Sequence, residues 1–286
     1  MYKKIFVELT NRCNLACDFC LPTRRTKADM ELSALAGLLP QLVHFTKHLS
    51  LHVLGEPLLY PQLGQVLGLC HEHGLRVNLT TNGSLLPWYS RMLLSAPALR
   101  QINISLHSVS GHLGGLGMTE YLDGVMNFSR LAAAAGKIVS LRIWDLSLIQ
   151  REEGPRQHGD LLSRLEKFFC LSQPLAATVI AGQGIKLIDN VYLSQKELFV
   201  WPTLAGPVLA GRGTCRGGRD HVGILVDGTV VPCCLDGEGA VPLGNVFARS
   251  FAEIVAGERA VRIKKGFEER WLVEELCQRC SYRERF

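Results

Sequence analysis

The sequence predicts a mixed α/β fold, a partial (β/α)6 barrel of the TIM type followed by a small α+β domain rich in cysteine. Three observations predict it. Apolar runs of strand length alternate with stretches of helical apolar spacing through the first two-thirds of the chain. Polar or glycine-rich segments follow the strand-like runs, as in barrels whose reactive groups gather at the C-terminal ends of the strands. The last third then holds five of the ten cysteines.

The elements follow in order. Ile5 to Leu9 reads as the first strand, Leu32 to Val43 as a helix and Leu49 to Leu54 as the second strand. Leu63 to His73 has helical spacing and is stopped by Gly74, ahead of the strand Leu75 to Thr80. A helix over Ser84 to Leu94 leads to the strand Gln101 to Leu106. The helix Thr119 to Ala135, stopped by Gly136, leads to the strand Ile138 to Trp144. After a break rich in Gly, Pro and charge at Glu152 to Asp160, Leu161 to Phe169 reads as a helix and Ala176 to Ala181 as the sixth strand. The barrel is expected to occupy residues 1–200 and the small domain residues 201–286.

Composition narrows the function. A chain of 286 residues with 47% hydrophobic and 20% charged residues is an ordinary globular protein. The net charge of +5 suits an anionic or phosphate-bearing substrate and is too diffuse to argue for nucleic acid. No apolar run reaches the ~18 residues of a membrane span, and the N-terminus enters a strand without a signal-peptide pattern. Ten cysteines in such a chain point to metal ligands in a reducing cytoplasm, not to disulfides.

The chemistry starts just after the first strand, in Thr10-Asn11-Arg12-Cys13-Asn14-Leu15-Ala16-Cys17-Asp18-Phe19-Cys20. Three thiolates spaced C-x3-C-x2-C on one short loop can ligate three irons of a 4Fe–4S cluster and leave the fourth open. An open coordination site marks a centre that binds and reacts. A zinc knuckle or three unpaired thiols would also fit these three residues taken alone.

The motif resembles the signature of the radical S-adenosylmethionine (SAM) superfamily. That resemblance implies an oxygen-sensitive enzyme whose open iron chelates SAM and whose cluster, reduced by a donor such as flavodoxin or ferredoxin, cleaves it to a 5′-deoxyadenosyl radical. It implies that Phe19 lies beside the adenine. Leu54-Gly55-Glu56-Pro57 resembles the family's Gly-Gly-Glu-Pro segment with Leu54 in place of the first glycine, so Gly55, Glu56 and Pro57 are expected at the SAM amino group. By the same resemblance Ser105 is expected at the ribose and Arg142 at the SAM carboxylate. Asn82 reads as a turn residue and His107 as a hydrogen-bonded group on the barrel rim.

Toward the C-terminus come Cys215, then seventeen residues, Cys233-Cys234, a gap of 42, and Cys277-Gln278-Arg279-Cys280. Asp227-Gly228 between apolar runs signals a hairpin that returns Cys233 toward Cys215. With Pro232-Cys233-Cys234 and Leu243-Gly244-Asn245-Val246, residues 200–286 resemble the Twitch domain, a shorter relative of the SPASM domain. This implies an auxiliary 4Fe–4S cluster on Cys215, Cys233, Cys277 and Cys280, with Cys234 competing for the second place. Four thiolates at this spacing would also hold a structural zinc. Cys70 and Cys170 are expected to be buried in helices.

The resemblance implies oxidation of a small molecule or peptide, with the auxiliary cluster accepting the electron left on the substrate. One alternative is a radical lyase acting on a modified nucleoside or nucleotide, of the queuine-lyase kind, for which Arg212, Arg216 and Arg219 would suit a phosphate. Another is a non-catalytic zinc or iron–sulfur module. Asp220 and Arg219, close in sequence to Cys215, are the candidate substrate residues, expected to face the barrel mouth. No membrane is expected as a partner.

Overall fold

Apolar residues at every second position set the face that each strand buries. In β1 (Lys4–Val7), β2 (His48–Leu51) and β3 (Arg76–Thr81), the residues Ile5, Val7, Leu49, Leu51, Val77 and Leu79 are fully buried, while Lys4, His48, Ser50 and Asn78 alternate with them. The strands pair in parallel, Ile5 opposite Leu49 and Leu49 opposite Val77. They are linked by α1 (Leu32–Leu42) and α2 (Leu63–Glu72), whose Leu35, Leu39, Leu42, Val66 and Leu67 are buried as well. The computed structural model describes residues 1–106, 117–144, 157–178, 183–196 and 199–285. These form two compact units, Met1–Asn14 with Asp18–Leu79 and Phe199–Phe286, and Leu15–Cys17 with Thr80–Leu198.

The first unit draws its strands from both ends of the chain. Strands β1 to β3 share it with three strands from the last third, here numbered β6 to β8. Strand β6 (His221–Ile224) pairs in parallel with β1, Lys4 opposite His221 and Val7 opposite Ile224. The Asp227-Gly228 turn then returns the chain through β7 (Thr229–Val231), antiparallel to β6, and β8 (Gly244–Asn245) pairs with β7. Gly228 takes a φ of +84° there, and the Asp227 carboxylate accepts from the Thr229 N–H. Beyond them, α7 (Phe251–Val255) opens on a Ser250–Glu253 capping box. Gly257 separates it from α8 (Glu258–Glu268), and α9 (Glu275–Gln278) follows.

The second unit carries β4 (Leu99–Ser105) and β5 (Ile138–Trp144), paired in parallel, together with α3 (Leu86–Ser95) and α4 (Met118–Ala134). Asn82 leads into α3, its carboxamide oxygen accepting from both the N–H and the hydroxyl of Ser84. After α5 (Gln157–Phe169) the sixth parallel strand is not where the sequence pattern puts it. Residues 175–178 are a helical turn, α6 (Leu175–Thr178), and 179–181 lie outside the described residues. Pro174 and two alanines favour a helix start over a strand. The parallel partner of β5 lies further on at Val191–Lys196, β10, and the preceding Gly184–Ile188, β9, is antiparallel to it. Asn190, at a φ of +63°, makes the turn between them. No helix among the described residues is long and apolar enough to cross a membrane.

His221, first residue of β6, lies edge-on to Phe6 at 5.5 Å, and Lys4 sits over the same ring at 4.7 Å. Burial, helped by Lys4, lowers its pKa to about 4. The unfolded chain therefore binds a proton that the native state refuses between about pH 6.5 and pH 4. Stability should be full above that window and fall through it by up to about 3 kcal/mol as pH drops. Chemical denaturation at a series of pH values should show this slope in the wild type and a shallower one in His221→Gln.

Candidate functional site

The first three thiols ride on a loop with a tightly tied neck. Where the chain leaves β1, Met30 N–H donates to Leu9 O at 2.8 Å and Thr10 bridges Asp29. Buried Asn11 clamps both sides: its amide nitrogen donates to Thr26 O and its oxygen accepts from Ala28 N–H, each at 2.8 Å. Lys27 Nζ closes the neck on Asn11 O. Cys13 and Cys20 are exposed and Cys17 half-buried, and none of the three is in a disulfide. Partial desolvation and the neighbouring Cys13 thiol raise the pKa of Cys20, a mutual discouragement of thiolates that a cationic cluster relieves. The donor set fits an iron–sulfur cluster.

Leu54-Gly55-Glu56-Pro57 lies across this neck. Gly55 adopts a φ of +76°, and a Cβ there would collide with Thr10 O and come within 2.8 Å of Arg12 O. The glycine therefore serves first to let this segment close on the cysteine loop's own backbone. Glu56 N–H donates to Arg12 O at 2.7 Å. The buried Glu56 carboxylate accepts from Leu58 N–H at 3.0 Å, capping the turn that Pro57 starts. Leu54 is accommodated by packing on Gly237, in an apolar cluster with Phe6, Val53, Leu225 and Val231.

Beneath this segment lies a residue that sequence reasoning missed. Glu8, at the end of β1, is fully buried and meets Arg25 of the cysteine loop through two bonds, 2.7 and 2.8 Å. The same carboxylate accepts from Leu54 N–H at 3.2 Å and from Val226 N–H of the β6–β7 hairpin at 3.0 Å. One acid thus joins the first strand, the cysteine loop, the segment after β2 and the C-terminal hairpin.

In the second unit, Ser105 at the end of β4 stands directly opposite Arg142 of β5, and Arg142 opposite Ser194 of β10. The two residues expected at SAM are neighbours in register. Asn103 is on the same side of β4 and donates to Thr80 Oγ1 at 3.2 Å. His107 lies outside the described residues.

The C-terminal thiols come together from three segments. Cys233 has its pKa raised by burial and by Cys234, Cys277 and Cys215. Burial, then Cys215 and Cys280, raise that of Cys277, and burial and Cys215 raise that of Cys280. Gly217 lets the Cys215 loop approach: a Cβ would lie 3.2 Å from that of Cys233, and its N–H donates to Cys215 Sγ at 3.4 Å. Cys215 and Cys277 pack on Val241, Ile263, Phe267, Leu272 and Leu276, whereas Cys234 packs into the other apolar cluster beside Leu21 and Trp201. This division favours Cys233 over Cys234 in the four-thiol set. Two further acids brace the set. Asp236 accepts from Ala240 N–H and Val241 N–H at 2.7 and 2.8 Å, and Glu274 pairs with Arg259 through bonds of 2.9 and 2.7 Å. No three His, Cys, Asp or Glu side chains among the described residues converge closely enough to share one metal ion. The fit to a cluster rests on four free thiols, one for each iron.

Two sequence expectations need correction. Asp220 and Arg219 do not sit at the end of the strands that bears the cysteine loop. Because β6 runs parallel to β1, Asp220 lies at the opposite end, bonded to Lys3 at 2.8 Å and to Arg219 at 3.3 Å. Closeness in sequence to Cys215 misled because strand direction decides the end. Cys170 is exposed, not buried. It follows α5 at a φ of +52°, past the last helical turn, where Leu171 N–H closes on Glu166 O. Cys70 is buried as expected, its pKa raised to about 12 by desolvation.

Glu8→Ala would strand the Arg25 charge and should cost about 3–5 kcal/mol, read as a lowered denaturation midpoint. Asp220→Asn weakens only surface pairs with Lys3 and Arg219 and should shift stability by less than ~1 kcal/mol, with turnover unchanged. For the second thiol set, Cys233→Ser should lose the C-terminal iron while Cys234→Ser retains it, measured as iron per chain.

Comparison with known proteins accords with this geometry. A family model described as the radical SAM superfamily matches residues 7–162, more than half of the chain, and one described as the SPASM iron-sulfur cluster-binding domain matches residues 215–281. The chain is 26% identical over 215 residues to a PqqA peptide cyclase of Gluconobacter oxydans (strain 621H), covering 68% of this chain but only 54% of that protein's length. It is 26% identical over 290 residues to the S-adenosyl-L-methionine-dependent 2-deoxy-scyllo-inosamine dehydrogenase of Niallia circulans, covering 98% of this chain and 93% of that protein. The crystal structure of BtrN in complex with AdoMet and 2-DOIA shares the fold, with a TM-score of 0.62 at 19% identity over 98% of this chain and 93% of that one. The cysteine loop after the first strand and the thiol set toward the end of the chain thus each fall within a matched model, and the chain belongs to the radical SAM superfamily, with a SPASM-type domain and with 4Fe–4S clusters and SAM as its cofactors.

Proposed function

We propose that this protein is a SAM-dependent dehydrogenase that oxidises a carbinol carbon of a small polyhydroxylated molecule. When bound, the first cluster supplies the electron that splits SAM into methionine and a 5′-deoxyadenosyl radical, and the second takes the electron left on the substrate carbon after hydrogen abstraction and loss of the hydroxyl proton. The observation that carries this reading is the second set of four thiols, Cys215, Cys233, Cys277 and Cys280, in the compact unit that also holds Cys13 and Cys20. A fully ligated cluster suits electron uptake, since it has no iron left to bind substrate. The near full-length match to a dehydrogenase of an aminocyclitol supports the substrate class.

In this reading residues 1–200 perform the SAM chemistry and 201–286 hold the acceptor. Cys13, Cys17 and Cys20 hold the first cluster, and Asn11 and Glu8 keep their loop in shape. Gly55, Glu56 and Pro57 form the segment at the SAM amino group, and Arg142 with its neighbour Ser105 takes the carboxylate and ribose. Phe19 stands at the adenine. A low-potential protein such as flavodoxin or ferredoxin delivers the first electron. Peptide oxidation is the second reading, favoured by the match to PqqA peptide cyclases.

After anaerobic reconstitution the wild type should carry about eight irons per chain, and Cys13→Ala/Cys17→Ala/Cys20→Ala about four. Given dithionite, SAM and an aminocyclitol deuterated at its carbinol carbon, the enzyme should release labelled 5′-deoxyadenosine and a ketone. About four irons in the wild type would remove the acceptor from the scheme. Label appearing only from a peptide would move the assignment to the second reading.

A further inference from the structure

Within the first unit, a row of aromatic side chains runs from the cysteine loop to the last auxiliary thiol. Trp201 Nε1–H donates to the carbonyl of Phe19, the residue before Cys20, at 2.9 Å. Its ring meets that of Phe199 with centroids 5.3 Å apart, and Phe199 meets Tyr282 edge-on at 5.1 Å. Tyr282 stands two residues after Cys280, joined to it by the covalent bonds of the backbone. Arg285 lies over the Tyr282 ring at 4.8 Å and over the Phe199 ring at 6.0 Å.

An electron tunnelling between two centres loses less amplitude through bonds and close contacts than across open gaps. From Cys20 to Cys280 this row offers covalent bonds along the chain, one hydrogen bond and two ring contacts. The Arg285 guanidinium over the rings favours transient negative charge along the row. We propose that Phe19–Trp201–Phe199–Tyr282 is the conduit for one-electron exchange between the SAM cluster and the auxiliary cluster. The inference rests on the two-cluster reading above. One electron leaves the reduced auxiliary cluster and one arrives at the oxidised SAM cluster, so each changes by a single charge and no proton has to cross. The substrate-derived electron is thereby returned for the next SAM cleavage.

The test uses the reconstituted holoenzyme and a photoreduced flavin that injects less than one electron per chain, followed by rapid freeze-quench EPR of the two cluster signals. In the wild type the electron should redistribute between the clusters in a first-order phase independent of protein concentration. Phe199→Leu and Tyr282→Leu, which keep apolar bulk without a ring, should slow that phase at least tenfold at full iron content. Tyr282→Phe and Phe199→Tyr should keep the wild-type rate. Unchanged rates in both leucine variants would overturn the proposal, as would loss of the auxiliary iron in both, since the stack would then be a packing element. A rate that falls in Cys234→Ala but not in the leucine variants would reroute the electron through the apolar cluster on which Leu21 and Cys234 pack and equally overturn it. A wild type with about four irons would instead refute the two-cluster reading itself.

Discussion

The structure turns on one buried carboxylate. Glu8 sits where the first strand ends and the reactive loop begins, and it can be buried only because every lone-pair direction is used. Arg25 supplies charge and two hydrogen bonds, while Leu54 and Val226 each supply an N–H. These donors come from segments that have no other reason to meet. Satisfying the acid therefore brings the cysteine loop, the Gly55-Glu56-Pro57 segment and the C-terminal hairpin to one place. The geometry of the iron site follows from that electrostatic requirement as much as from apolar packing.

The auxiliary domain is consequently more than an appendage. Its strand β6 lies on the open edge of β1, Gly237 receives the Leu54 side chain, Glu238 accepts from Arg24 N–H, and Trp201 holds the Phe19 carbonyl. Each contact falls on or beside the loop that carries Cys13 and Cys20. The iron–sulfur cluster-binding domain also forms part of the wall that shapes the SAM-cluster loop, so its own folding and the loop's order are linked.

Much of this was legible in the sequence. The alternation of Ile5, Val7, Leu49, Leu51, Val77 and Leu79 with polar residues gave the parallel strands, and the spacing of Cys13, Cys17 and Cys20 gave the reactive loop. The Asp227-Gly228 turn pointed to the hairpin that carries Cys233 back toward Cys215. What could not be read were facts set by distant partners. Glu8 looked like any polar residue at a strand end, because its partners lie 17, 46 and 218 residues away. Cys233 and Cys234 could not be ranked until packing sent Cys234 into the apolar cluster of Phe6 and Val53 and left Cys233 buried near Cys215 and Cys277. Asp220 was misjudged because strand direction, not sequence distance, decides which rim a residue occupies. Local propensity was the limit at residues 176–178, where alanines after Pro174 suit a helix as readily as a strand.

The parallel pairing of β1 with β6 has a consequence for biosynthesis. A ribosome makes the first strand early, yet the partner for its second edge, and the last donor to Glu8, lie more than two hundred residues downstream. Until then the nascent chain displays an unpaired strand edge and a half-satisfied acid, the kind of surface that recruits other unfinished chains. Closing so long a loop also slows the final docking step. Cellular iron–sulfur assembly machinery would accordingly meet a finished cysteine loop only after translation has delivered the C-terminal third, which makes cluster insertion a late event in the life of this protein.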